Sequence, residues 1–426
     1  MSRFLKTMIV LLAIAAMVAP AMAEERLSLG GQMRVRGWYK DMDKKDNSTN
    51  TWADQRLRIG GKLSIAEGVS ITFRTDITES NWGHGNTYGS GRDGSTQQWD
   101  RAHIDLAFDQ FSLRAGQQFV MFSKSGAFNA QSNGLKIATK GDIPVTAFFM
   151  LQDDNDVTSN GQYVIDNKKT SPTYGTIIKS PENSNNSDGF YYGLNAGFGT
   201  DTFKGNAFGA AQKKVTNSDE EVYLIGLEST FNLDAFTVTG ELDYFTGDAN
   251  AKDDAFGTQA YVDVAFAINE TVTVGGQAYY ALGDKKDVQY AVLGNDFNGW
   301  DPLNEHGTGL NNEQITPNKS IFGTDSRPFA IFGNNAGVIA GRAYVDTKIG
   351  DNMTLGGSFS YLEPEEDANV KVDSAMNTTV GVHYNVMANT SIGAQVEYIS
   401  LDQSSKAGKD APEDAYAAGF GLFVNF

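Results

Sequence analysis

Residues 55–66 read Gln-Arg-Leu-Arg-Ile-Gly-Gly-Lys-Leu-Ser-Ile-Ala, and the reading of that alternation decides the fold. Along a β-strand, successive side chains point to opposite faces. Leu57, Ile59, Leu63 and Ile65 therefore share one face, and Arg56, Arg58, Lys62 and Ser64 share the other. A soluble antiparallel sheet would bury the first face in a core and hydrate the second. A transmembrane barrel would turn the first to lipid and the second to a water-filled lumen. The rest of the chain chooses between the two.

The same two-faced pattern recurs outward from this stretch. Residues 26–40 set Leu27, Leu29, Met33, Val35 and Tyr39 against Gln32, Arg34 and Arg36. Residues 69–79 set Ile71, Phe73 and Ile77 against Arg74 and Asp76, and residues 98–109 set Ile104, Leu106 and Phe108 against Arg101, His103 and Asp105. Further alternating runs cover 111–122, 135–140, 145–151, 190–198, 203–212, 222–231, 235–245, 257–268, 271–282, 338–349, 353–362, 374–386, 390–401 and 415–426. The strand count is about eighteen, with sixteen the other even number in range.

Loop lengths alternate as well. Short turns at 67–68, 232–234, 269–270 and 350–352 contrast with long polar loops, above all 152–188 and 283–327. Compact globular folds rarely carry several long structureless loops, whereas outer-membrane barrels have short periplasmic turns and long external loops. Tilted strands of about 9–11 residues cross a bilayer, and closure leaves no unpaired edge in lipid. The expectation is an all-β chain: one transmembrane, antiparallel, up-and-down β-barrel over residues 24–426.

Residues 1–23 read as a secretory signal peptide, with Arg3 and Lys6 before an apolar run and Ala21-Met22-Ala23 as the cleavage site. Its removal takes the formal net charge from −18 to −20. No later stretch approaches the roughly 18–20 apolar residues of a membrane helix. The chain has no cysteine, which removes disulfides, thiolate nucleophiles and cysteine metal sites from consideration. Its acidity argues against a nucleic-acid partner. With 46 glycines and 9 prolines, the composition suits strands and tight turns.

Strand parity assigns the inner face. Arg34, Arg36, Arg56, Arg58, Lys62, Arg74, Arg101 and Arg114 fall inward on the first five strands. On the lipid face each would cost about 2–4 kcal/mol at the midplane. Nine strands further round, Glu228, Glu241, Asp243 and Asp263 also fall inward. A basic wall facing an acidic wall would set a transverse field across the pore and filter solutes by charge and size. The plainer alternative is a solvated face of local cross-strand pairs. Acidic loops at 153–156, 219–221 and 363–367 suit hard cations that bridge to lipopolysaccharide, but their spacing completes no calcium loop, and solvated loops are the expectation. The four histidines, His84, His103, His306 and His383, share no readable triad, and Gly89–Gly94 precedes no helix pattern. Neither an enzyme nor a cofactor or metal site is expected.

The ending Gly421-Leu422-Phe423-Val424-Asn425-Phe426 resembles the C-terminal assembly signal of Gram-negative outer-membrane proteins, with Phe426 as its terminal aromatic. The mature chain resembles a Gram-negative porin, and its opening AEERLSLGGQMRVRGWY resembles the major porins of Geobacter-type deltaproteobacteria. Leu113-Arg114-Ala115-Gly116-Gln117-Gln118 resembles the fifth strand of general porins, which implies that residues 119–134 form a constriction loop, although the Pro-Glu-Phe-Gly-Gly motif of that loop is missing. The resemblance implies an outer-membrane channel for passive diffusion of ions and small hydrophilic solutes. It also implies contacts with lipid and lipopolysaccharide, handling by the barrel assembly machinery, and a homotrimer as assembly state. Two alternatives stay open: a barrel sheathing a multihaem cytochrome conduit, and an exporter of an acidic polysaccharide.

Overall fold

The computed structural model describes residues 26–41, 49–82, 98–123, 125–153, 163–165, 177–179, 188–215, 220–250, 252–283, 288–290, 293–294, 332, 336–366, 372–404 and 414–426. The expected signal peptide lies outside them, as do His84, His306 and most of the acidic loops.

The chain forms β1 (Leu27–Asp41), β2 (Thr49–Ala66), β3 (Val69–Asn81), β4 (Gln98–Ala107), β5 (Phe111–Phe122), β6 (Phe128–Thr139) and β7 (Val145–Asp153). After the small hairpin β8 (Tyr163–Ile165) and β9 (Ile177–Lys179) come β10 (Asp188–Gly199), β11 (Phe203–Val215), β12 (Glu220–Leu233), β13 (Phe236–Asp248), β14 (Asp254–Ala267) and β15 (Val272–Ala281). The two-residue β16 (Val288–Gln289) and β17 (Leu293–Gly294) precede β18 (Val338–Ile349), β19 (Met353–Glu363), β20 (Val372–Met387), β21 (Thr390–Gln403) and β22 (Ala415–Asn425). With β8, β9, β16 and β17 set aside, the remaining eighteen strands pair antiparallel, each with the next, and β22 pairs back onto β1 to close the ring.

Closure satisfies the backbone where lipid offers no hydrogen bonds. At the seam the Gly31 N–H donates to the Phe426 carbonyl at 2.7 Å, and the Phe426 N–H donates back at 3.0 Å. Gly31 is needed there, because a Cβ would stand 2.5 Å from the Phe426 ring.

Parity sorts the two faces as the alternation required. On β12, Leu224 is 1% exposed and its neighbour Ile225 is 66% exposed. Ile71, Ile104, Leu194, Leu242, Phe359, Val396 and Phe420 continue the exposed apolar band around the ring. At the short-turn end, phenylalanines pair across strands, Phe108 with Phe111 at 4.5 Å, Phe203 with Phe231 at 4.6 Å and Phe236 with Phe266 at 4.5 Å. Tyr223, Tyr244, Tyr361 and Tyr416 stand on the outer face toward the opposite end. An apolar belt between two aromatic girdles is the surface a bilayer requires.

One boundary differs from the expectation. Residues 119–134 are mostly strand: β5 and β6 stay in register up to Phe122 opposite Phe128. Polar residues such as Asn129, Gln131 and Asn133 disguise β6 as loop, because the first residues of β6, Phe128–Ala130, are buried against inner-face side chains rather than turned to lipid.

Candidate functional site

The inner face of β1–β6 carries the basic residues, but interleaved with carboxylates. Arg34 stands opposite Arg56 in the β1–β2 ladder, and Arg36 opposite Asp54. Arg36 Nε donates to Asp54 Oδ1 at 2.9 Å, and Trp38 Nε1 donates to Asp54 Oδ2 at 2.6 Å. Arg56 donates to Gln32 at 2.9 Å. Arg58 grips Asp76 with two bonds, at 2.5 and 3.0 Å, while Arg74 donates to Asp100. Arg114 donates to Asp105 at 2.7 Å, with Thr72 and His103 on the other carboxylate oxygen at 2.9 and 3.1 Å. Lys62, near the short-turn end, is exposed opposite Ser28 and Thr72. The wall of one sign is thus a cross-strand mesh with a basic surplus.

Three members are absent from the sequence reading, and one of them was hidden from parity. A bulge in the β3–β4 ladder pairs Arg74 with Arg101 and Thr75 with Trp99, so Asp100 is the extra residue. Simple alternation sends Asp100 to lipid; the bulge returns it inward, to Arg74. Lys136 on β6 sits directly opposite Arg114. Alternation between Leu135 and Ile137 signals it, and it belongs with the basic face. Asp54 follows the same parity as Arg56.

The acidic residues gather on β12–β14. Counting round the ring, β12 is nine places from β1, β13 nine from β2 and β14 nine from β3, so the two groups face each other across the lumen. Glu228 and Glu241 are ladder partners, both buried together with Asp243. Asp243 accepts from Gln259 at 2.8 Å, and Tyr279 donates to Gln259 at 2.7 Å. Asp263 accepts from Tyr344 at 3.0 Å and Gln277 at 3.3 Å.

The tip of the β5–β6 hairpin reaches this acidic group. The Ser125 N–H donates to Glu241 Oε2 at 3.1 Å, and the Ser125 hydroxyl donates to Oε1. Phe122 and Phe128 flank the tip and pack on inner-face rings, Phe128 at 4.8 Å from Phe148 and 6.0 Å from Tyr191, Phe122 at 6.0 Å from Phe208. A strap from the long loop before β18 completes the arrangement. Its first part, β16, pairs parallel with β14, and its second, β17, pairs parallel with β6. Leu293 donates from its backbone to the Ala127 carbonyl at 2.8 Å and is fully buried in the phenylalanine cluster. Ser125 and Leu293 carried no sequence signal, since neither belongs to an alternating run.

A closed apolar-belted ring of eighteen strands with a charged, partly filled lumen defines an outer-membrane channel protein. A family model described as Gram-negative porin matches residues 10–300, and the chain belongs to that family. It is a channel of the outer membrane for passive diffusion of small solutes. The fold is similar to that of OccAB4 from Acinetobacter baumannii, at 11% identity and TM-score 0.57, over 94% of this chain and 99% of that one. It is similar too to a BenF-like porin from Pseudomonas fluorescens Pf-5, at 10% identity and TM-score 0.56, over 94% and 99%. OccAB1 from Acinetobacter baumannii aligns at 11% identity and TM-score 0.55, over 94% and 96%. No curated protein matches the sequence.

Proposed function

We propose that this porin is an anion-preferring diffusion channel whose narrowest section lies between the β5–β6 hairpin and the basic inner face of β1–β5. The observation that carries the reading is the Ser125–Glu241 contact, which holds the hairpin tip against the far wall. Glu241 and Asp243 are covered there, at 5% and 1% exposure, so their charge is turned away from the open lumen. The basic face opposite keeps a surplus and sets the sign of the field. Charge rings of this kind select by attraction and by the repulsion of like ions.

In this reading residues 119–134 are the constriction element, with the part-exposed Arg58 and Arg74 on its open side and the buried Arg34, Arg36 and Arg56 in the mesh beside them. Phe426, its ring over Gly31, serves as the assembly signal for the barrel insertion machinery. The exposed belt takes lipid and lipopolysaccharide, and the protein assembles as a homotrimer. The lumen works as a sieve rather than a catalyst. Hairpin and strap fill space that a sheathed cytochrome would need, which favours the channel over the conduit.

Single-channel recording of the purified protein in planar bilayers tests the reading. Stable ohmic conductance without any partner is expected. A protein that inserts but passes no current would instead fit a sheath awaiting its partner.

A further inference from the structure

Two inner-face cations stand out from the basic mesh. Among the described residues, the charged groups of Arg101 and Lys136 enter no hydrogen bond or ion pair, and Arg101 Nε is buried without a partner. The neighbouring carboxylates are already committed. Asp100 takes Arg74 and lies 3.9 Å from Arg58. Asp105 has Arg114 on one oxygen and Thr72 and His103 on the other.

The ladder also sets like charges directly opposite, Arg74 against Arg101 and Arg114 against Lys136. Such pairs repel where opposite charges would attract. Arg114 spends only its Nε on Asp105, which leaves its terminal nitrogens for a further acceptor.

Between the two poles lies a glycine rung, bordered by His103 on β4 and Met150 on β7. Lys136 and Arg114 share one rung, and two residues on, Gly134 and Gly116 share another. Arg101 lies one residue beyond Ala102, which pairs with Gln117, and so stands on the far side of that glycine rung. At Gly134 a Cβ would sit 2.2 Å from the Phe149 carbonyl oxygen and 2.9 Å from Met150 Cγ, so the rung itself carries no side chain, and Gln118 donates to the Gly134 carbonyl beside it at 2.9 Å. Four residues of strand separate the poles, about 13 Å between backbones at ~3.3 Å per residue. Side chains as long as arginine and lysine shorten that gap, and Lys136 is within electrostatic reach of both Arg101 and Arg114.

We infer that Arg101, Arg114 and Lys136, around the Gly116–Gly134 rung, form a two-pole subsite for a small dicarboxylate. One carboxylate meets Arg101 and the other meets Arg114 and Lys136. Guanidinium forks favour planar two-oxygen acceptors over a spherical ion such as chloride, and two separated poles favour a solute with an anion at each end. The inference rests on the open, anion-preferring lumen proposed above.

Calorimetric titration of the full chain in detergent micelles with succinate and with acetate tests it without relying on current. Succinate should bind saturably and about tenfold or more tighter than acetate. Arg101→Gln and Lys136→Gln should each bring succinate down to the acetate level, while Arg101→Lys and Lys136→Arg keep most of the preference. Folding of each variant is checked by its β-sheet circular dichroism. Equal affinity for the two ligands, no saturable binding, or a preference unchanged in both folded glutamine variants would overturn the subsite. Succinate binding by a protein that conducts nothing would uphold the subsite and overturn the channel reading.

Discussion

Ser125 and Glu241 lie 116 residues apart in sequence, yet the Ser125 backbone N–H donates to the Glu241 carboxylate at 3.1 Å inside the barrel. The contact ties a hairpin rooted in β5 and β6 to β13. It turns Glu241, which parity marks as a wall charge, into an anchor for the tip of that hairpin.

Removing that anchor should loosen the aperture. Glu241→Ala leaves the buried Ser125 N–H and hydroxyl without their acceptor, a loss of about 1–3 kcal/mol. Single-channel traces of the variant should show a larger or fluctuating open level, and Glu241→Gln, which retains one acceptor, should be closer to the parent. Traces of Glu241→Ala indistinguishable from the parent would remove the latch from the account.

The strap offers a second handle. Leu293 and Phe128 are parallel ladder partners, and the chain contains no cysteine of its own. Neighbouring strands bring Cα atoms within the 4.4–6.8 Å that a disulfide spans. Phe128→Cys with Leu293→Cys should therefore cross-link on oxidation and quieten channel flicker, reversibly on reduction. A pair that stays reduced under oxidant would show that β17 does not dwell on β6.

The outer face makes its own prediction. Ile225 is the exposed neighbour of inward Leu224, so Ile225→Arg places a cation in the lipid belt. Unfolding in lipid vesicles should register a loss of about 2–4 kcal/mol if the site is near the midplane. An unchanged unfolding midpoint would contradict the assignment of that face to lipid.

How much of this was legible in the sequence follows from what period-two alternation can and cannot carry. Residues 55–66 announced their two faces because Leu57 and Ile59 interleave with Arg56 and Arg58 without interruption. The same rule gave the closing strand and the opposition of basic and acidic strands across the ring. It failed at Asp100, because one inserted residue reverses parity locally. It failed again over β6, whose first residues are buried inside the barrel and so lack the apolar alternation that marks a lipid-facing strand. Ser125 and Leu293 lie in segments whose placement depends on long-range partners, Glu241 and Ala127, and no local pattern encodes those.

The most direct measurement of the central claim is the reversal potential of the purified channel in a potassium chloride gradient. The parent should reverse on the anion-selective side. Arg34→Glu combined with Arg58→Glu should move the reversal potential toward cations, changing the permeability ratio on the order of several-fold. A parent that is non-selective or cation-selective, or a double variant with an unchanged reversal potential, would contradict the basic face as the charge filter.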